Sequence, residues 1–144
     1  MQSLILTTCR GDAHPTLRQD WWKWDNPPLE AFTGWLGQEP VGIARTFDVR
    51  LSMPGITLEC IGIGGVFVND QHRGQGFAKQ IICGLTMRAG SRGLPFVLRA
   101  RDGRLYEAIG FQKIGQDGDQ GLYCVSPGYM TIKSHPSWQV NRAF

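Results

Sequence analysis

The sequence predicts a mixed α/β fold of the α+β kind, built on one sheet with few helices. Short β-prone runs crowd the chain up to Val68, separated by Gly and Pro turn signals. A 3.6-residue apolar period first appears after Gly76. From there strand, helix, strand and helix alternate before a closing hairpin, which leaves room for one crossover connection.

The 144 residues suit a single domain over 1–144. Hydrophobic residues make up 42% and charged residues 19%, an ordinary globular composition that argues against disorder. The net charge of +3 suits an anionic ligand but lacks the basic stripe of a nucleic-acid binder. No apolar stretch is long enough to span a membrane, and the N-terminus lacks a basic leader region. Cys9, Cys60, Cys83 and Cys124 have neither C-x-x-C nor zinc-ligand spacing. They read as reduced packing residues of a cytoplasmic protein, with no metal site.

Ser3–Thr8 reads as the first strand. The polar stretch after it carries Trp21, Trp22 and Trp24 and closes on Asn26-Pro27-Pro28. Phe32–Gly37 and Val41–Leu51 read as a hairpin, with a bulge expected in its second strand because the alternation is imperfect. Pro54-Gly55 turns the chain into a long apolar strand, Ile56–Val68. A helix is expected over Gly76–Ala89, with Phe77, Ile81, Ile82 and Leu85 on one face. Pro95–Ala100 is a strand, Arg104–Ile109 a short helix stopped by Gly110, and Phe111–Gly115 and Leu122–Lys133 the last two strands. Residues 134–144 read as an irregular tail.

The chemistry concentrates at Gln71-His72-Arg73-Gly74-Gln75-Gly76. A strand, a glycine turn and a helix start together make an anion site, because the first helical N–H groups lack partners and face the positive end of the dipole. Gly74 and Gly76 remove side chains that would hold a phosphate away, and Arg73 adds forked donors. A P-loop pattern is absent, and Gly62-x-Gly64 fails as a dinucleotide fingerprint because Phe67 replaces its third glycine. The plain alternative is that the two glycines serve only a tight turn.

Gln71-x-x-Gly74-x-Gly76, preceded by the strand Val66-Phe67-Val68, resembles the Q/R-x-x-G-x-G/A signature of the GCN5-related N-acetyltransferases. Leu105-Tyr106-Glu107-Ala108-Ile109-Gly110-Phe111, about 30 residues downstream, resembles that family's second common element. The resemblance runs from Ile61 to Gly115 and leans toward the small-molecule, antibiotic-modifying branch. It implies a mostly antiparallel seven-strand sheet splayed between its fourth and fifth strands. It also implies acetyl-CoA as co-substrate, with pantetheine along the backbone of Val66, Phe67 and Val68. The pyrophosphate is expected on Arg73, Gly74, Gln75, Gly76, Phe77 and Ala78.

Moving an acetyl group from a thioester to an amine calls for a base, an oxyanion donor and an acid. A backbone N–H near Phe67 or Val68 is the expected oxyanion donor. Tyr106 matches the family's acid, and a tyrosine of pKa roughly 10 keeps its proton at neutral pH. Its alternative role is core packing. Glu59 is the candidate base, although antibiotic-modifying relatives carry their carboxylate nearer the signature, about where Gly64 stands. A water chain, Asp12, His14, or a loop role for His72 remain open at this point. The tryptophan cluster suits either acceptor stacking or a core lid.

A small-molecule amine, such as an aminoglycoside-type antibiotic or a polyamine, is the expected acceptor, because little chain is left to form a peptide groove. The alternatives are a protein N-terminal acetyltransferase and a non-catalytic acetyl-CoA-binding module. Neither nucleic acid nor a membrane is expected as a partner. A homodimer through Leu122–Lys133 is expected by analogy with the family.

Overall fold

The computed structural model describes residues 2–9, 28–128, 130–142 and 144. Among these are eight strands and two α-helices. The chain divides into two compact units, Met1–Phe47 with Gly64–Ala89 and Asp48–Ile63 with Gly90–Phe144. The strands β3 (Glu39–Met53) and β4 (Ile56–Val68) each contribute residues to both.

In the first unit, β1 (Ile5–Cys9) pairs antiparallel with β2 (Glu30–Leu36), which pairs antiparallel with β3. The loop joining β2 to β3 is Gly37-Gln38, with Gly37 at φ 59, the backbone region that a primed hairpin turn demands of its first residue. Gly34 pairs with Gly42 but Trp35 with Pro40, so Val41 is the extra residue of a bulge. The irregularity falls beside Pro40, which has no N–H to give to the ladder.

The helix α1 (Phe77–Ala89) buries Phe77, Ile81, Ile82 and Leu85, the face expected from the period. It seats closely because glycines lie on both sides of the contact. A Cβ at Gly42 would fall 2.6 Å from Ile81, and one at Gly84 would fall 2.8 Å from Leu6. The Gln80 side chain accepts from Leu4 N–H at 2.9 Å and donates to the Gln2 carbonyl at 2.8 Å, fastening the approach to β1.

In the second unit, Pro54-Gly55 turns β3 into β4, with Gly55 at φ 83 as a type II turn requires of its third residue. β4 pairs in parallel with β5 (Phe96–Ala100) at Ile61↔Phe96 and Gly62↔Val97. α2 (Arg104–Ala108) follows, and its Arg104 N–H donates to the Asp102 carboxylate at 3.1 Å. β6 (Gln112–Asp117) and β7 (Gln120–Val125) form a hairpin, and β7 also pairs antiparallel with β5.

Two sequence expectations change here. The last main strand stops at Val125 rather than Lys133, because Ser126-Pro127-Gly128 cannot continue a ladder. The tail is not wholly irregular. Gln139 and Val140 form β8, which pairs with Ser52 and Leu51 of β3 and makes the sheet eight-stranded rather than seven-stranded. Trp138 is buried, and its indole N–H donates to the Lys133 carbonyl at 2.8 Å.

Candidate active site

The residues expected to hold the nucleotide lie in the first unit. Val66, Phe67 and Val68 end β4 and are half-buried. Asn69 then ties the chain to β3, with its N–H donating to the Val41 carbonyl at 2.9 Å and its amide nitrogen to the Pro40 carbonyl at 3.0 Å. A single 3-10 turn, Asp70–His72, leads into Arg73. Gly74 and Gly76 adopt φ 78 and 80, a region that residues with a β-carbon rarely occupy. A Cβ at either position would meet nothing within 4 Å, so open space lies above both. The first helical bond at this end runs from Gln80 N–H to the Gly76 carbonyl at 3.2 Å. The amides of Phe77, Ala78 and Lys79 therefore precede any intrahelical acceptor and face the positive end of the dipole.

Arg73 is exposed, but its neighbours fix where its guanidinium stands. Its Nε donates to the Val68 carbonyl at 3.0 Å, its Nη1 lies 2.9 Å from Asp70 Oδ1, and its guanidinium stands 5.6 Å from the Phe67 ring centre. His72 Nε2 lies 2.9 Å from Glu39 Oε1, and the His72 ring meets Phe77 edge-on. These contacts bring the two ends of the loop together: Phe67 and Val68 on one side, Arg73 and Phe77 on the other. With Gly74 and Gly76 open above, the residues present fit a pyrophosphate.

Glu59 and Tyr106 lie in the second unit and have different partners. Glu59 is exposed on β4, and its carboxylate accepts from Arg50 Nε at 2.9 Å. Tyr106 is carried on α2 and packs edge-to-face on Phe111, with ring centres 6.0 Å apart. Its main-chain carbonyl accepts from Phe111 N–H at 3.0 Å, which anchors the turn at Gly110 (φ 104). Burial pushes the Tyr106 hydroxyl above its ordinary pKa, so it holds its proton throughout the neutral range.

A family model for the acetyltransferase (GNAT) domain matches residues 8–114, well over half of the chain. The chain belongs to the GNAT acetyltransferases. Among solved structures, a GCN5-related N-acetyltransferase from Kribbella flavida is similar at 26% identity and a TM-score of 0.55, over 59% of this chain and 22% of its own. The GNAT family N-acetyltransferase YhbS from Escherichia coli, solved in complex with CoA, is 18% identical with a TM-score of 0.56, over 67% of this chain and 58% of that one. Escherichia coli ElaA is 18% identical with a TM-score of 0.58, over 84% and 98%. The chain thus spans less than two thirds of the first two relatives' own lengths. No curated protein matches it in sequence.

The GNAT match includes both the glycine loop and Tyr106. Trp21, Trp22, Trp24, Asp12 and His14 lie outside the described residues. Among the described residues no group of His, Cys, Asp or Glu is placed to hold a metal, and no helix is long and apolar enough to cross a membrane.

Among the described residues, three cysteines of this GNAT chain are free thiols, and two of them are buried, Cys60 and Cys124. Burial pushes the Cys60 thiol up to about 12 and the Cys124 thiol to about 11, so neither forms the reactive thiolate near neutrality. In native protein at pH 8, a maleimide is expected to leave both unlabelled over the time in which denatured protein reacts fully. Mass spectrometry of the labelled peptides reads the result, and equal rates in the two states would refute the burial.

Proposed function

We propose that this GNAT chain transfers the acetyl group of acetyl-CoA to a primary amine of a small molecule, such as an aminoglycoside-type antibiotic or a polyamine, by direct attack. The observation that carries the reading is the pair Gly74 and Gly76, left-handed and open above, ahead of a helix whose first amides have no intrahelical acceptor. Arg73 to Ala78 take the pyrophosphate, and the backbone of Val66 to Val68 takes pantetheine.

The amine nitrogen attacks the thioester carbonyl, and a β4 amide near Phe67 or Val68 stabilises the oxyanion. Glu59 takes the proton that the amine loses, directly or through water. The C–S bond then breaks, and the departing thiolate takes a proton from Tyr106. The three free thiols suit a reducing, cytoplasmic setting. A homodimer through the span 122–133 belongs to the same reading, with Gly128, Thr131 and Lys133 exposed among its described residues.

The test is release of free CoA thiol from acetyl-CoA in the presence of aminoglycosides, polyamines, amino acids and N-terminal peptides. Small amines are expected to support turnover and peptides are not. A preference for peptides would move the assignment to protein N-terminal acetylation. Thermal stabilisation by acetyl-CoA without thiol release would leave only a binding module. With the best acceptor, Glu59→Gln is expected to lower kcat about 10²-fold at neutral pH. An unchanged rate would hand the proton to water.

A further inference from the structure

We propose that Arg45 is a positioning residue for acetyl transfer, holding β4 in the bent form that aims the amides of Val66 to Val68 at the thioester. The inference rests on the assignment of that backbone to acetyl-CoA made above.

Arg45 lies on β3 and is only 3% exposed, one of three buried polar or charged side chains among the described residues. Burying a guanidinium is costly unless close packing and polar contacts compensate it, so what Arg45 sits against matters. Its guanidinium lies against Gly65, which sits inside β4 with φ 61. A left-handed glycine within a strand is the geometry of a bulge, where the alternation of amides along the strand is broken. The guanidinium fills the space that a side chain at residue 65 would take: an ideal Cβ there would stand 2.5 Å from Nη2 and 2.7 Å from Cζ. The fit is reciprocal, since Gly65 alone leaves room for the guanidinium and the guanidinium covers the bare backbone. The Phe47 ring, 5.2 Å from Cζ, supports the same group from its own strand.

Val66, Phe67 and Val68 follow Gly65 directly. Their far end is also held. A Cβ at Gly42 would come within 3.0 Å of the Phe67 carbonyl, so β3 approaches closely there, and Arg73 Nε donates to the Val68 carbonyl. The segment is thus clamped at Gly65 by Arg45 and at Val68 by Arg73. Displacing an oxyanion donor by about 1 Å lowers turnover on the order of 10²-fold without a matching loss of ground-state binding.

The experiment compares Arg45→Lys, Arg45→Met, Gly65→Ala and the double variant Arg45→Lys/Gly65→Ala. It uses acetyl-CoA with the best amine of the panel, and also measures acetyl-CoA Kd and Tm. Arg45→Lys keeps the charge but not the planar fork. It is expected to lower kcat about 10²-fold while Kd for acetyl-CoA stays within about threefold. Because Gly65→Ala already evicts the guanidinium, the double variant is expected to lose little more than Gly65→Ala alone. A fall in Tm with kcat per folded molecule unchanged would reduce Arg45 to packing and overturn the proposal, as would strictly additive losses. Wild-type protein that binds acetyl-CoA but never releases thiol would overturn the parent reading and this one together. Normal wild-type turnover with kcat unaltered in Arg45→Lys and Arg45→Met would overturn this one alone.

Discussion

Gly76→Glu is expected to abolish measurable acetyl-CoA binding, raising Kd at least 100-fold. Two separate penalties combine. At φ 80 a residue with a β-carbon pays about 1–2 kcal/mol in backbone strain, although its Cβ would meet no neighbour. The carboxylate would then stand at the start of α1, where it satisfies the same amides and the same end of the dipole that an incoming pyrophosphate needs. It both fills the open space and repels the anion. Gly76→Ala separates the two effects: it carries the strain alone and is expected to weaken binding by only about tenfold, in line with the strain cost. Calorimetric titration with acetyl-CoA reads both variants. Thermal denaturation gives a second reading, because a ligand at 100 times its Kd stabilises by about 2.7 kcal/mol, and Gly76→Glu should show none of this. Wild-type affinity in Gly76→Glu would mean that the glycine turn serves only the chain's own path.

The loop was legible because its physics is local. Glycines at positive φ, a preceding apolar strand and a following 3.6-residue period are all written in neighbouring residues. β4 was expected over Ile56–Val68 and is found there, since Pro54-Gly55 and Asn69-Asp70 punctuate both ends. The α1 face read from Phe77, Ile81, Ile82 and Leu85 is likewise a local pattern. What failed to show depends on distant partners. β8 is two residues long, and only the free edge of β3 at Leu51 and Ser52 makes it a strand. Arg45 is not singled out by the sequence. Its burial follows from the missing side chain of Gly65, twenty positions away, and no pattern near Arg45 announces it. Gly62, Gly64 and Gly65 interrupt the apolar run of β4, but nothing beside them names Arg45 as the group that fills the space at Gly65. Tyr106 was singled out through its resemblance to a family motif, whereas the raised pKa of its hydroxyl needed the fold.

Tyr106→Phe is expected to lower kcat about 10²-fold at neutral pH with the KM for acetyl-CoA nearly unchanged, because the hydroxyl acts only as the C–S bond breaks. Packing on Phe111 survives the change, so the loss is chemical rather than structural. The pH dependence gives the sign. Burial raises the folded-state pKa of Tyr106, so the acid stays loaded at neutral pH, and wild-type activity should decline only above the ordinary tyrosine value of about 10. The same shift makes the folded state hold this proton more tightly than the unfolded one. Its contribution to stability is therefore whole below about pH 10 and lost as pH rises through the raised folded value. Tyr106→Phe should lack both the alkaline decline in rate and this loss of stability. A decisive control replaces the donor by an acetyl thioester whose leaving thiol has a much lower pKa. Such a thiolate departs without help, so the variant's defect should shrink toward the wild-type rate. A defect of the same size with both donors would show that Tyr106 shapes the site without giving a proton, and an undiminished kcat with acetyl-CoA would remove it from the reaction.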